Sequence, residues 1–127
     1  MIQPTYYSEK RPWGGYILFV DNQHCSIKIL TVSGQLSLQS HNFREESWYV
    51  LSGRVEVMRG IVLNTWEETK KNLERLILES GETVIIPVKH VHTMRNLGEA
   101  PAQILEISTG DYKEDDIIRY EDIYGRV

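Results

Sequence analysis

Short apolar stretches, rich in β-branched and aromatic side chains, recur along most of the chain. Gly, Asn, Asp or Ser residues separate many of them, at positions such as Asp21-Asn22, Ser33-Gly34 and Ser80-Gly81. Many short strands at regular spacing indicate a sandwich or a barrel. The predicted strands are Gly15–Val20, Ser26–Val32, Leu36–Ser40, Ser47–Leu51, Arg54–Met58, Leu73–Leu78, Thr83–Pro87 and Gln103–Ser108. The sequence therefore predicts an all-β domain.

Two of the connections have distinctive sequences. The Ser52-Gly53 step joins two apolar stretches and predicts a tight hairpin. Asn64–Asn72 is polar and predicts a short exposed helix inside a hairpin loop, since Thr65 and Glu68 have capping-box spacing. We interpret Trp66 in this insertion as a packing anchor against the barrel, with a contact to a partner or substrate as the alternative.

The C-terminal tail, residues 111–127, combines acidic residues with large apolar ones. Burying large apolar side chains is favourable, so we expect this tail to pack against the domain. Ile117, Tyr120 and Tyr124 recur at i, i+3 and i+7, which permits a helical face. The tail is therefore predicted to be packed, with a helix as one conformation open to it.

Composition narrows the class of protein. The 127 residues predict one domain, spanning residues 1–127, and the net charge of −4 argues against nucleic acid as a partner. Cys25 is the one cysteine, which we interpret as a buried filler. No apolar run approaches the ~20 residues of a membrane span, and the N-terminus lacks the apolar core of a signal peptide. We therefore expect a cytoplasmic protein that does not enter membranes.

Four side chains with nitrogen or oxygen donors indicate a metal site. Gln39 and His41 are two residues apart, so on a strand both point to the same face. Glu46 opens the next apolar stretch and can return across a hairpin, and His92 arrives from a later segment. Two imidazoles, a carboxylate and an amide oxygen suit Zn²⁺, and also Fe²⁺, Co²⁺, Ni²⁺ or Mn²⁺. We predict one divalent metal ion, with Zn²⁺ as the first choice.

These residues resemble the two motifs of the cupins, which are small jelly-roll β-barrels with a metal at the barrel mouth. The first motif is matched by Gly34…Gln39-Ser40-His41…Glu46…Gly53, and the second by Gly81…Pro87…His92…Asn96. The resemblance implies a cupin jelly-roll β-barrel, here with the helical insertion at 64–72 and the packed tail at 111–127.

Within the cupins, the chain is most similar to the C-terminal isomerase domain of type II phosphomannose isomerases, often fused to a mannose-1-phosphate guanylyltransferase. The resemblance runs from Arg11 onward, and no Gly-rich nucleotide loop accompanies it, so nucleotidyl transfer is not expected. The matching segments are Arg11-Pro12-Trp13-Gly14, Leu36-Ser37-Leu38-Gln39-Ser40-His41, Arg44 with Glu46 and Trp48, and the tail from Asp115 to Arg126.

The resemblance implies isomerisation of mannose 6-phosphate to fructose 6-phosphate through an enediol. This chemistry needs a Lewis acid, a base that moves a proton between C1 and C2, and a cation that holds the phosphate. Arg44 matches an arginine tied to activity in the family and is the first choice for a substrate contact. Its alternative role is an ion pair with Glu45, which would contribute little.

The remaining roles each have two interpretations. Lys28 is either the base or an oxygen contact, or else a solvent-facing strand residue. Arg126, with Arg11 as second choice, binds phosphate or ties down the C-terminus. Trp48 shares a face with Glu46 and either fills the barrel or stacks against a sugar. The substrate is expected to be a small sugar phosphate, and we expect a homodimer because strand edges are exposed.

The chain departs from the family pattern near the second motif. Lys89 stands where a glycine is usual, which costs roughly 1 kcal/mol if that position has positive φ. Its neighbour His90 is then a second candidate for the ligand role, although the spacing to Asn96 favours His92. The family also often has histidines where Asn42 and Phe43 stand.

Three other functions stay open. A metal-dependent dioxygenase usually offers three histidines and a glutamate, and Gln39 counts against it. A sugar-binding regulatory cupin would bind without turnover. A cupin isomerase or epimerase of a nucleotide-linked sugar would be separated by a substrate panel.

Overall fold

The computed structural model describes residues 7–110 and 115–127, within which the chain forms eleven strands and one short helix. Helix α1 (Trp66–Lys71) lies between β6 and β7. The strands are β1 (Tyr7–Arg11), β2 (Gly14–Asp21), β3 (Cys25–Val32), β4 (Leu38–Ser40), β5 (Arg44–Ser52), β6 (Arg54–Ile61), β7 (Glu74–Glu79), β8 (Thr83–Ile86), β9 (His90–Asn96), β10 (Ala102–Gly110) and β11 (Ile118–Glu121).

The strands form two antiparallel sheets. One has the order β1-β2-β3-β10-β5-β8 and the other the order β11-β4-β9-β6-β7. After the meander of β1, β2 and β3, each connection passes from one sheet to the other, except the hairpin of β6 and β7. This winding is that of a jelly roll, so the predicted all-β fold is confirmed.

The core lies between the two sheets. Each strand alternates inward and outward side chains, and the inward side chains of β5, β6, β9 and β10 are almost wholly buried. Trp48, Val50, Val57, Met94 and Ile104 have no exposed surface. Burial of each such side chain stabilises the fold by about 1.5–3 kcal/mol.

All the predicted strands correspond to observed ones, although β4 begins only at Leu38. Strands β1, β9 and β11 were not predicted from apolar composition, because each carries several polar or charged residues. Their backbone hydrogen bonds to neighbouring strands define them instead. Cys25 is half-buried at the start of β3, rather than fully buried as predicted.

Two predicted hairpins are wrong. Strands β5 and β6 belong to different sheets, so Ser52-Gly53 is a crossing between sheets. Gly53 has φ +93°, and a Cβ there would lie 3.0 Å from Ala102. Glu46 likewise does not return across a hairpin from His41, because β4 and β5 lie in opposite sheets. The two sheets instead bring these residues face to face.

The predicted helical insertion is confirmed, inside the hairpin of β6 and β7. Oγ1 of Thr65 accepts a hydrogen bond from the backbone N–H of Glu68 over 3.1 Å, as expected of an N-cap. Trp66 stacks on Tyr120, with ring centroids 4.9 Å apart, and donates a hydrogen bond to Glu121 over 2.8 Å. Trp66 therefore packs the insertion onto β11.

The tail packs against the domain as a strand. Strand β11 pairs with β4, with Ile118 opposite Ser40 and Arg119 opposite Gln39. The helical alternative is therefore wrong over these residues, because the edge of the second sheet offers backbone partners to an extended chain. The preceding part of the tail, residues 111–114, lies outside the described residues.

The connection between β8 and β9 contains Lys89, which has φ +62°. It is the one non-glycine residue with positive φ in the described part of the chain. Its backbone N–H donates a hydrogen bond to the carbonyl of His41 over 2.7 Å, which fixes the loop beside that histidine.

The described part of the chain contains no helix with the length and apolar character of a membrane span.

Candidate metal centre

Three buried side chains from both sheets converge at one end of the barrel. His41 lies just after β4, Glu46 lies on β5, and His92 lies on β9. Their donor atoms all lie within 4.8 Å of one another, and each residue is at most 2% exposed. The structure therefore brings together three of the four predicted ligands.

Backbone hydrogen bonds orient both imidazoles. Nδ1 of His41 lies 2.6 Å from the carbonyl oxygen of Asp116, and Nδ1 of His92 lies 2.9 Å from that of His90. A carbonyl oxygen only accepts, so each Nδ1 carries a proton and donates it. Each Nε2 is left to face the cluster, which is the usual arrangement of metal-binding histidines.

The carboxylate of Glu46 faces these nitrogens. Its Oε1 lies 2.7 Å from Nε2 of His41 and 3.3 Å from Nε2 of His92. Despite these contacts, neither Oε1 of Glu46 nor Nε2 of His92 forms a hydrogen bond of acceptable geometry with any described residue. Bonds of about 2.0–2.2 Å to a shared ion place neighbouring donors roughly 3.0–3.4 Å apart. The buried atoms without partners and their spacing therefore fit a divalent ion.

The protonation of Glu46 also suits a ligand. Burial opposes its ionisation, but its interactions with the imidazoles of His41 and His92 outweigh burial and hold its pKa well below the ordinary value. The group is thus a carboxylate at neutral pH. A carboxylate and two imidazoles form a donor set suited to Zn²⁺ and to other divalent first-row metals.

Arg44 lies against the same cluster and is buried. Its Nη2 lies 3.2 Å from Nε2 of His41, and its Nε lies 3.9 Å from Oε1 of Glu46. The ion pair with Glu45, which was the alternative role of Arg44, does not form. Arg44 points into the barrel, whereas Glu45 points to the solvent. Arg44 is therefore placed to contact whatever molecule binds beside the donors.

The two other candidate ligands lie differently. Gln39 is directly opposite His92 in the pairing of β4 and β9, so both side chains point to the same face. Its Oε1 accepts a hydrogen bond from Oγ of Ser37 over 2.7 Å, and its ligand role stays a prediction. His90 is outside the donor cluster, and its Nδ1 donates to the carbonyl of Val88 over 3.1 Å.

A cavity adjoins the cluster and extends towards the tail. It has a volume of about 90 Å³. Most of the predicted substrate residues lie on its wall, including Lys28, Arg126 and Arg11. The lining residues are Arg11, Trp13, Tyr16, Lys28, Leu30, Leu36, Gln39, Arg44, Glu46, Glu106, Ile117, Arg119 and Arg126.

Lys28 is buried on this wall rather than facing solvent. Its Nζ lies 4.4 Å from the centroid of the Tyr16 ring, a cation–π contact. Burial and a hydrogen bond to Glu9 raise the pKa of Tyr16 to about 12, so its phenol stays protonated. Arg126 is held by Asp122, whose Oδ2 accepts from its Nε over 2.6 Å.

Trp48 is fully buried behind the cavity, with its ring at 5.5 Å from that of His92. Its indole N–H donates a hydrogen bond to Oε2 of Glu106 over 2.9 Å. No face of the ring is exposed, so Trp48 fills the barrel, which was one of its two interpretations, and the ring offers no surface for the alternative, stacking against a sugar.

Sequence reasoning missed Glu106, which is buried on β10 directly opposite Lys28 on β3 and Trp48 on β5. Burial, and then the nearby charge of Glu46, raise the pKa of Glu106 to about 8. The signal was available, because Ile104 and Glu106 share the inward face of a predicted strand. An acidic residue on that face is unusual without a role or a partner.

A small antiparallel double sheet with a His–Glu–His donor cluster between its layers defines a cupin. The chain belongs to the mannose-6-phosphate isomerase C-terminal family, whose model matches residues 3–122. This assignment confirms the family predicted from the motifs.

Curated relatives are longer proteins. The xanthan biosynthesis protein XanB of Xanthomonas campestris is 39% identical over 91% of this chain and 23% of its own length. The mannose-1-phosphate guanylyltransferase ManC of Salmonella typhimurium is 35% identical over 92% of this chain and 22% of its own length. The chain therefore spans less than a quarter of these relatives. Among solved structures, the capsular polysaccharide assembling protein CapF of Staphylococcus aureus shares the fold, with a TM-score of 0.73 and 18% identity over 93% of this chain and 32% of CapF.

Proposed function

We propose that the protein is a metal-dependent isomerase of sugar phosphates that interconverts mannose 6-phosphate and fructose 6-phosphate. One observation carries the proposal: a single cavity joins the donor Glu46 to several cationic side chains. The family assignment supports the same chemistry. A phosphorylated sugar matches such a cavity, because one end of the molecule is anionic and the other has oxygens that can approach a metal.

The charge of the cavity differs from that of the whole chain. The chain has a net charge of −4, yet five cationic side chains line the cavity and only two acidic ones do. A dianionic phosphate is stabilised by such a surplus of positive charge, and arginine suits its oxygens because the guanidinium binds them in pairs. We assign the phosphate to the end of the cavity that contains Arg126 and Arg11.

At the other end, His41, Glu46 and His92, with Gln39 as a fourth ligand, would hold one divalent ion. When bound, the ion supplies Lewis-acid polarisation of a carbonyl or hydroxyl oxygen. We keep Zn²⁺ as the first choice, and Co²⁺, Ni²⁺, Mn²⁺ and Fe²⁺ suit the same donors.

The cationic residues near the donors would carry out the remaining work. Arg44 would donate hydrogen bonds to a sugar oxygen as negative charge develops on it. Lys28 lies opposite Glu106 across β3 and β10, so this pair is our choice for moving the proton between C1 and C2. Enclosure by the barrel would limit exchange of that proton with water.

A coupled assay tests the proposal. The purified protein, with its metal content measured, is given mannose 6-phosphate, and fructose 6-phosphate is detected with and without a chelator. We expect turnover that the chelator abolishes and added metal restores, and none with unphosphorylated mannose. Full activity after complete metal removal would overturn the mechanism.

The assay also separates the rival functions. Binding of mannose 6-phosphate without turnover, in metal-loaded protein, would favour a regulatory sugar-binding cupin. Turnover of a nucleotide-linked sugar in a substrate panel would favour an isomerase or epimerase of that class. Either result would replace the proposed reaction.

We also propose that two copies associate through the outer face of the six-stranded sheet. Two adjacent rows there are uncharged, with Ile27 opposite Ile107 and Ile29 opposite Leu105. Five strands at a spacing of about 4.8 Å make each of these rows about 20 Å long. An uncharged face also avoids repulsion between two chains of net charge −4. Sedimentation should give a dimer for the native protein and a monomer for Ile107→Lys; a native monomer would contradict this.

A further inference from the structure

The cavity contains an arginine that the motif analysis did not select. Arg119 lies on β11, directly opposite Gln39 of β4, and its side chain lines the cavity. Its Nε is buried and has no hydrogen-bond partner among the described residues. A buried cationic donor without a partner is costly, so this atom marks a place where an acceptor is missing.

The carboxylate of Asp122, whose charge acts on Arg119, is already engaged. Asp122 accepts from Nε of Arg126 over 2.6 Å, from Nη2 of Arg126 over 3.2 Å and from its backbone N–H over 2.8 Å. Arg126 is therefore anchored by a two-pronged ion pair, and much of its donor capacity is used. Nε of Arg119 can therefore donate a hydrogen bond to a ligand, whereas Nε of Arg126 already donates to Asp122.

The surroundings of Arg119 are also electropositive. Burial, followed by the charges of Arg126 and Arg11, lowers the pKa of Arg119, and the charge of Asp122 only partly compensates. Arg11 contacts Glu9 over 3.1 Å at the rim of the same cavity. Three guanidinium groups thus lie around one end of the cavity. A bound anion would reduce the repulsion between them.

We propose that Arg119 is the principal phosphate-binding residue of the cavity, with Arg11 and Arg126 around it. The ligand is the phosphate of a phosphomonoester, and this inference rests on the proposed function. Arg119 thereby replaces Arg126 as the first choice for the phosphate, and the main role of Arg126 becomes to fix the tail. Since Arg119 lies opposite Gln39, the bound phosphate would be positioned relative to the donor cluster by the pairing of β11 with β4.

Inorganic phosphate and mannose 6-phosphate are suitable probes, with titration calorimetry of the metal-loaded full chain. Arg119→Gln should weaken binding of both by about tenfold or more, the loss of one charge-assisted hydrogen bond. Arg54→Gln is the matched control, since Arg54 is an exposed arginine paired with Glu79 and does not line the cavity. It should leave both affinities unchanged. Arg119→Lys, which retains the charge, should fall between these variants.

Kinetics add a readout that a purely structural role would not produce. Arg119→Gln should raise KM for mannose 6-phosphate by about tenfold with little change in kcat, since the phosphate is bound equally in the ground and transition states. Unchanged phosphate affinity in a folded, metal-loaded Arg119→Gln protein would overturn the inference, as would a native protein that binds no phosphate. Phosphate binding through Arg119 without turnover of any sugar phosphate would instead reject the isomerase reaction alone.

Discussion

The backbone carbonyl of Asp116 accepts a hydrogen bond from Nδ1 of His41 over 2.6 Å, so the C-terminal tail orients a candidate metal ligand. The side chain of the same aspartate accepts from the backbone N–H groups of Asn42 and Phe43, over 2.9 and 3.0 Å. One tail residue therefore holds both the ring of His41 and the turn that follows it. The tail is part of the site as well as of the fold.

This relationship predicts that Asp116→Ala weakens metal binding. Without the carboxylate, the turn after His41 loses the two hydrogen bonds that hold Asp116 beside it. The backbone carbonyl that orients the imidazole remains, but it is no longer held in position. Loss of such an outer partner typically costs about 10–100-fold in metal affinity. Competition with a chromophoric chelator measures the change, and Asp115→Ala, at an exposed neighbour, is the control. Equal affinities in the two variants would show that the tail does not orient the ligand.

Arg44→Ala should lower kcat sharply while leaving the metal content intact. Arg44 contacts His41 and Glu46 but is itself a cation, so it can stabilise charge on a substrate without holding the ion. Removal of one such donor typically costs about 10²–10³ in kcat. Elemental analysis and steady-state kinetics provide both values, with Arg54→Ala as the control. Native activity in Arg44→Ala would remove this residue from the mechanism.

Lys89→Gly should stabilise the protein. The left-handed conformation at φ +62° costs a residue with a Cβ about 1–2 kcal/mol, and glycine avoids that cost while losing some entropy in the unfolded chain. We expect a net gain of about 0.5–1 kcal/mol in the free energy of unfolding, measured by denaturant titration. Lys89→Ala keeps the strain and should gain nothing. A destabilised Lys89→Gly would show that the side chain matters more than the backbone strain.

Acid should weaken the anchorage of the tail through Asp122. The hydrogen bond from Arg126 outweighs partial burial and lowers the pKa of Asp122 from 3.8 to about 2. A lowered folded-state pKa means that the ionised group stabilises the fold above pH 3.8, and that this contribution is lost as the pH falls towards 2.

Thermal unfolding from pH 6 to pH 2 should therefore bring Asp122→Asn and the native protein closer together as the pH falls. Asp115→Asn, at an exposed position, should track the native protein throughout. A stability difference between Asp122→Asn and the native protein that stays constant over this range would contradict the assigned ion pair.

The fold was largely predictable because its signal is local. Alternating apolar residues in stretches such as Ser26–Val32 and Gln103–Ser108 mark strands wherever one face is buried. The hairpin at Ser52-Gly53 was mispredicted because the same turn residues serve a crossing between sheets. The tail was ambiguous because Ile117, Tyr120 and Tyr124 fit a helical spacing, and only the free edge of β4 decides in favour of a strand.

The site was predictable where its residues lie close in sequence. The spacing of His41 and Glu46, supported by the family resemblance, predicted two members of the donor cluster, and the ligand role of Gln39 stays a prediction. Glu106 and Arg119 were missed because their roles arise from neighbours distant in the sequence, across β10 and β11. Trp48 was placed next to the site, and its burial agrees with the interpretation that it fills the barrel.

The central claim is that His41, Glu46 and His92 hold one divalent ion, and metal stoichiometry tests it most directly. Native protein and the variants Glu46→Gln and His92→Ala, stripped by chelator and reloaded with Zn²⁺, are compared by elemental analysis after buffer exchange. We predict close to one ion per native chain and strongly reduced occupancy in both variants, with all three proteins folded by circular dichroism. Native protein that retains no more metal than the variants would contradict the claim.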